Sequence, residues 1–189
     1  MSDYDDLDIL ADFCNTRDER LRYEGDPGLD HLQTCEQLQL WLLEHHLLTE
    51  EAVVTDEELQ LARELRRGMR IAIDPLADRQ VEAAAIINEV ASQLAAAVIF
   101  DPSMKATIQF AGTKARQAIG KLLLLILNTQ QTNAWNRLKM CTAEDCRWVF
   151  IDRSRPGSGK WCSMQACGNR AKKRTFRERQ KEEKKKVPE

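Results

Sequence analysis

The chain has 189 residues, 43% of them hydrophobic, and a formal net charge of −2. That length suits one ordinary domain plus a small one, with a real core, and no apolar run nears the roughly 18 residues that a membrane helix needs. The near-neutral total conceals a split: residues 1–140 carry 14 Lys/Arg against 23 Asp/Glu, net −9, whereas residues 141–189 carry 14 against 7, net +7.

In chain order, the apolar spacing of Leu7, Leu10, Ala11, Phe13 and Cys14 predicts a short first helix. Arg17 to Asp30, with Gly25, Pro27 and Gly28, reads as a loop. Thr34 with Gln37 and Thr55 with Glu58 are capping-box pairs, each opening an amphipathic helix. The second of these helices carries Leu59, Ala62, Leu65, Met69 and Ile73 and is stopped by Pro75. Asp78 is placed to cap an Ala-rich helix striped with Val81, Ala84, Ile87, Val90, Leu94 and Ala97. Thr107, Ile108 and Phe110 suggest a short strand paired with Val98 to Phe100. Thr113 caps a last helix running to about Asn128, and the polar stretch Asn128 to Asn133 marks a domain boundary.

Four of the six cysteines follow that boundary as two matched pairs, Cys141-x4-Cys146 and Cys162-x4-Cys167. The chain starts on the acidic Met1-Ser-Asp-Tyr-Asp-Asp, where a secretory leader would be basic and then apolar, so a cytoplasmic protein is expected. Paired cysteines in a reducing compartment point to metal ligands rather than disulfides. Four thiolates close a tetrahedral Zn2+ site completely and leave no position for water or substrate, which speaks against an enzyme. An iron–sulfur cluster is the competing occupant of four thiolates. Trp148 to Ile151 is a β-type run, Arg155 to Gly159 a turn, and Lys160-Trp161 the expected return strand. Cys167 then opens a helix whose first N–H groups would face its thiolate. The whole layout is a knuckle, a β-hairpin and a helix, as in treble-clef modules. Trp148, Phe150 and Trp161 are the expected miniature core. So small a unit draws much of its folding free energy from metal, on the order of 10 kcal/mol in zinc-finger peptides.

Trp135 to Cys141, Cys146 to Arg155 and Trp161 to Lys172, with Cys167-Gly168-Asn169-Arg170 at the centre of the last, resemble the CGNR zinc-finger family. Leu10-Ala-Asp12-Phe13-Cys14-Asn15-Thr16-Arg17 and the helix at Leu38 to Leu43 resemble the ABATE domain that usually precedes it. The resemblance implies a mainly α protein. Residues 1–130 would be a helical domain, 135–181 a Zn2+-binding finger, and 182–189 a charged, disordered tail. It also implies a bacterial transcription regulator linked to stress. The turn Pro156 to Gly159 departs from the family, which often keeps more Arg there.

The basic segment supplies the expected nucleic-acid contacts: Arg170, Lys172, Lys173, Arg174 and Arg177 on the helix, with Arg153, Arg155 and Lys160 from the hairpin. Arg170 follows Cys167 so closely that a hydrogen bond within the module is a second reading. DNA is the first expectation for the partner. RNA or the ribosome, and an acidic protein docked by the module, are the alternatives, because electrostatics alone does not separate them. A redox variant has the thiolates oxidised and the metal released. The helical domain would sense a signal or form a homodimer. Asn15, Thr16 and Arg17 are the candidate lining of a small-molecule pocket there, with a helix end packed on a loop as the plainer explanation. Cys14 and Cys35 read as small core residues.

Overall fold

The computed structural model describes residues 3–49, 52–76 and 78–185. Among the described residues the chain is mainly helical with three small antiparallel hairpins. Helix α1 (Asp3–Asn15) leads into β1 (Arg17–Asp18), which pairs with β2 (Leu29–Asp30) inside the segment expected to be all loop. Both capping boxes form: Thr34 opens α2 (Cys35–Glu44) and Thr55 opens α3 (Asp56–Ala72). α3 ends just before Pro75, whose ring and missing N–H bar continuation.

Helix α4 (Gln80–Ser92) corrects two expectations. Its N-cap is Arg79, not Asp78, and no side chain caps it. Val81 is 86% exposed and Ala84 is exposed, so the inward stripe runs through Ala83, Ile86, Ile87 and Val90 instead. Gly68 sets that rotation. A Cβ there would lie 2.8 Å from Ile87 Cγ1 and 3.1 Å from Ile86 Cγ2, so α3 and α4 cross with Ile86 and Ile87 seated on bare backbone. Leu94 is buried beyond the end of the helix, and Ala97 belongs to a strand.

Strands β3 (Ala96–Phe100) and β4 (Ala106–Phe110) pair as expected. Phe110 anchors them, its ring lying on Gly120 of α5 (Lys114–Gln131), where a Cβ would come within 2.3 Å of Phe110 Cγ. Thr113 caps α5 as expected, but the helix runs through Gln131, so most of the polar stretch read as a boundary is helical. Its neutral side chains offer no helix-breaking residue, and Thr129 turns inward to bond the carbonyls of Leu125 and Ile126. The break comes at Asn133, in the left-handed region at φ 60. A 3₁₀ turn (Ala134–Arg137) then leads to β5 (Leu138–Met140), which pairs with β6 (Val149–Ile151).

The pairing of β5 with β6 revises the expected hairpin, in which β6 would have paired with Lys160-Trp161. Leu138, Met140 and Val149 complete the core built by α1, α2, α3 and α5, which holds Phe13, Leu38, Leu65, Met69, Ile119 and Leu122. On the opposite face, Phe150 packs against the cysteines. One hairpin thus carries the hydrophobic core on one side and the cysteine cluster on the other. A π-helical turn (Met164–Gly168) precedes α6 (Asn169–Lys185). α6 extends into the segment expected to be a disordered tail, and residues 186–189 lie outside the described ones. No described helix is long and apolar enough to cross a membrane.

Candidate metal centre

Cys141 follows β5 directly, and its N–H continues the ladder to Trp148 O at 2.9 Å. The chain then turns back on itself. Cys146 N–H donates to Ala143 O at 2.9 Å, and Arg147 takes a left-handed φ of 55. The second pair reaches this knuckle because Thr142 N–H and Oγ1 both bond Lys160 O, at 2.9 and 3.1 Å. Ser163 Oγ caps the π turn by accepting from Ala166 N–H, which curls Cys167 inward. Gly168 lets the Met164 thioether lie on bare backbone: a Cβ would sit 2.7 Å from Met164 Sδ, at the movable end of that side chain, and in ordinary contact with the Trp161 ring at 3.5 Å.

The four ligand atoms lie within 4.8 Å of one another. Cys146 Sγ is 3.6 Å from Cys162 Sγ, which is 3.7 Å from Cys167 Sγ. Four sulfurs at about 2.3 Å from a tetrahedral ion stand about 3.8 Å apart, so the donor set fits Zn2+ in kind and in spacing. Cys141, Cys146 and Cys167 are buried, with Ala143, Trp148, Phe150 and Trp161 around them. The three aromatic residues expected to form a miniature core therefore shield the sulfurs.

Burial pushes the Cys146 thiol well up and that of Cys162 to about 11. Burial acts the same way on Cys141, but the N–H groups of Cys162 and Ala143 and the neighbouring thiols outweigh it and lower that group. Backbone donors thus serve Cys141 and Cys146. Cys167 receives Arg170 Nη2 at 3.2 Å, and the same guanidinium reaches Asp145 at 3.4 Å. Arg170 therefore has the within-module role that was its second reading. Asn169 Nδ2 donates to Gln165 O within the turn.

The remaining basic residues divide. Lys172, Lys173, Arg174 and Arg177 are exposed on α6, and from Lys172 to Gln180 every side chain is exposed. Arg174 comes within 3.9 Å of Glu144. Lys160, Arg170 and Arg174 line one cavity of about 1020 Å³ beside the cysteines. Arg155 is exposed on the following loop. Arg153 is turned the other way, to Asp8 of α1 at 2.9 Å, in a separate small cavity with Asn15 and Trp148.

Asp152 carries no signal in the cysteine pattern, yet it organises the module. Its carboxylate accepts from Ser154 N–H, Ser154 Oγ, Gly159 N–H at 2.6 Å and Lys139 Nζ. An Asp two residues before a Ser in a turn was the signal for it. Lys139 also donates to Gly157 O, and Arg137 Nη1 to Ser154 O at 2.6 Å. These bonds fold residues 152–159 into a loop on β5 and β6 and so exclude the expected return strand.

The candidate pocket residues are structural where they are buried. Asn15 bonds both backbone groups of Val149, and Thr16 donates to Phe13 O and accepts from Arg66 at 2.9 Å. This is the plainer of the two readings, a helix end packed on its neighbours. Arg17 holds Pro27 O at 2.9 Å and lines a cleft with α3.

A helical domain joined through one hairpin to a four-cysteine cluster with a projecting basic helix defines a metal-binding protein of zinc-finger type. Residues 137–180 match the family model of the CGNR zinc finger. Residues 7–127 match that of the ABATE domain, described as "Putative stress-induced transcription regulator". That match spans more than half of the chain, and the protein belongs to the ABATE family. No curated protein matches the chain.

Proposed function

We propose that the protein is a zinc-dependent, cytoplasmic DNA-binding regulator of bacterial type, in which Cys141, Cys146, Cys162 and Cys167 hold Zn2+ and α6 contacts DNA. The observation that carries this reading is the basic helix that springs from the fourth cysteine. Its side chains from Lys172 to Gln180 are all exposed, within a segment of net charge +7. Lys173, Arg174 and Arg177, which share one face of α6, meet the phosphate backbone with Lys172 on the adjoining side, and Arg side chains are suited to base edges in the major groove. Zn2+ would fix the start of that helix and do no chemistry, since four thiolates leave it no open position. The family description supports a regulator, and the acidic helical domain would be repelled by the polyanion and so left free to sense or to dimerise.

Fluorescence anisotropy with labelled genomic DNA fragments tests the proposal. We expect binding at low salt that weakens steeply as salt rises. Arg174→Gln with Arg177→Gln should weaken it about tenfold or more. No binding at low salt, or binding unmoved by the double replacement, overturns it. Stronger recovery of RNA than DNA after crosslinking replaces DNA by RNA as the ligand.

A further inference from the structure

Away from the cysteines, the structure gathers arginine. Arg63, Arg66, Arg67 and Arg70 fall on one side of α3 at spacings of three and four. They line a cleft of about 420 Å³ that Arg17, Arg79 and Arg147 complete. Six of these seven belong to residues 1–140, where only 14 of the residues are Lys or Arg and the net charge is −9. None of the lining cations is lysine, and four lining carboxylates, those of Glu19, Asp30, Glu64 and Asp74, face the seven guanidinium groups. Glu82 beside the cleft adds a fifth, holding Arg79 at 2.5 Å and standing 3.8 Å from Arg67, which itself holds Glu64 at 2.6 Å, so two guanidinium groups remain in excess.

The ion pairs inside the cleft do not use up this surplus. Arg66 holds Asp30 through two bonds of 2.7 Å, Arg70 holds Glu19 at 2.6 Å, and Arg147 holds Asp74 through both of its terminal nitrogens. Arg63 is held by the carbonyls of Leu32 and Gln33 rather than by a carboxylate. Arg17 bonds Pro27 O and stands 4.0 Å from Glu19. Arg66 and Arg70 are only 5% and 7% exposed, so the cleft has a buried, cationic floor. Its far wall is the metal knuckle. Arg147 directly follows Cys146, and Arg147 O accepts from Arg70 at 3.3 Å.

We infer that this cleft binds a small organic phosphate, and that the bound anion tightens the joint between α3 and the metal knuckle. Guanidinium forks match phosphate oxygens in pairs, which explains why every cation is arginine. The volume falls within the range of about 300–1,000 Å³ of small-molecule sites. A floor this buried is reached by a small ligand that enters the cleft and not by a duplex backbone lying across it. An anion between α3 and Arg147 touches both modules, so it stabilises their docked state, and by linkage the docked knuckle raises affinity for the anion. The inference is independent of the proposed DNA binding, because it concerns α3 and Arg147 and makes no use of α6.

The test uses the full-length, zinc-loaded protein in chloride buffer at constant ionic strength. Isothermal titration compares glucose 1,6-bisphosphate and inorganic phosphate with glucose. We expect saturable binding of the bisphosphate, weaker binding of phosphate and none of glucose. Hydrogen exchange in residues 141–148 should slow when the bisphosphate is present. Arg63→Gln and Arg67→Gln alter side chains at the rim of the cleft and should each weaken the bisphosphate about tenfold. The thermal midpoint of Arg67→Gln, whose side chain is half-exposed, should hold in anion-free buffer, which separates lost contact from lost folding; Arg63→Gln also gives up its bonds to Leu32 and Gln33 and should lower the midpoint slightly. Arg174→Gln with Arg177→Gln should leave the bisphosphate titration unchanged whatever it does to DNA. The inference is overturned by absence of saturable binding, by binding that survives both rim replacements, or by binding that the α6 replacements abolish.

Discussion

The carboxamide of Asn15, at the end of α1, pairs with the backbone of Val149 in β6 as a neighbouring strand would. Nδ2 donates to Val149 O at 2.8 Å, and Oδ1 accepts from Val149 N–H at 2.9 Å. The Val149 side chain is 1% exposed and belongs to the hydrophobic core, while the next residue, Phe150, packs against the cysteines. This one pair of bonds therefore fastens the ABATE helices to the strand that backs the metal centre. Asn15→Ala should leave a buried N–H and a buried C=O without partners and cost about 2 to 4 kcal/mol. Asn15→Asp should be no better, since it sets a carboxylate oxygen against Val149 O. Thermal unfolding of both variants checks this. A loss under 0.5 kcal/mol for Asn15→Ala would show that the joint is held elsewhere.

Metal removal should act unevenly on the two faces of the β5–β6 hairpin. Leu138, Met140 and Val149 are held by the helical core and should stay protected. Residues 141–148 and 160–168 have the cysteines as their main buried contacts and should open. Cys162→Ser, or a strong chelator, is expected to raise hydrogen exchange in those two segments by at least tenfold and to leave α1, α3 and α5 near their original rates. Uniform exchange across the whole chain would instead mean that folding of all elements depends on the ion.

Local chemistry made much of this structure legible. Thr34 with Gln37 and Thr55 with Glu58 announce helix starts because each pair closes its bonds within four residues. The matched cysteine spacing announces a cluster because each knuckle is a short turn. What stayed hidden depends on distant partners. Nothing near Val149 signals that its strand pairs with Leu138–Met140 rather than with Lys160-Trp161, because Asp152 decides this by drawing Gly159 and Lys139 together. The buried stripe of α4 is not legible in its own periodicity because it is set by Gly68 on another helix. The arginine cleft was invisible for the same reason, since Arg17, Arg66 and Arg147 meet only in the fold.

Asp152 should confer a sensitivity to acid that its neutral analogue lacks. Burial works against its charge, but the donors Ser154, Lys139 and Gly159 outweigh this and hold the carboxyl well below the usual carboxylate range. A carboxyl depressed on folding stabilises fully above its unfolded pKa of about 3.9, and that contribution fades as pH falls below it. At pH 7, Asp152→Asn should therefore be less stable than the parent by about 1 to 3 kcal/mol, through the weakened bonds to Lys139 and Gly159. Between pH 7 and 5 the gap should stay constant, and below about pH 4 it should narrow. Thermal midpoints of both proteins across that range check the sign; a gap that widens in acid would contradict it.

Gly120 and Phe110 should show a reversal of sign in a double-mutant cycle. Alanine in place of a mid-helix glycine normally stabilises by about 1 kcal/mol. Here the new Cβ would lie 2.3 Å from Phe110 Cγ, so the ring must leave α5. Overpacking of this kind costs about 1 to 3 kcal/mol, which exceeds the helix gain. The β3–β4 hairpin has little else to hold it, since its strands are exposed along nearly their whole length. Gly120→Ala alone should therefore destabilise and should raise hydrogen exchange in residues 96–110. In a Phe110→Ala background the clash is gone, and the same Gly120→Ala change should stabilise. Additive effects of the two substitutions, read from chemical unfolding, would show that the ring does not rest on this glycine.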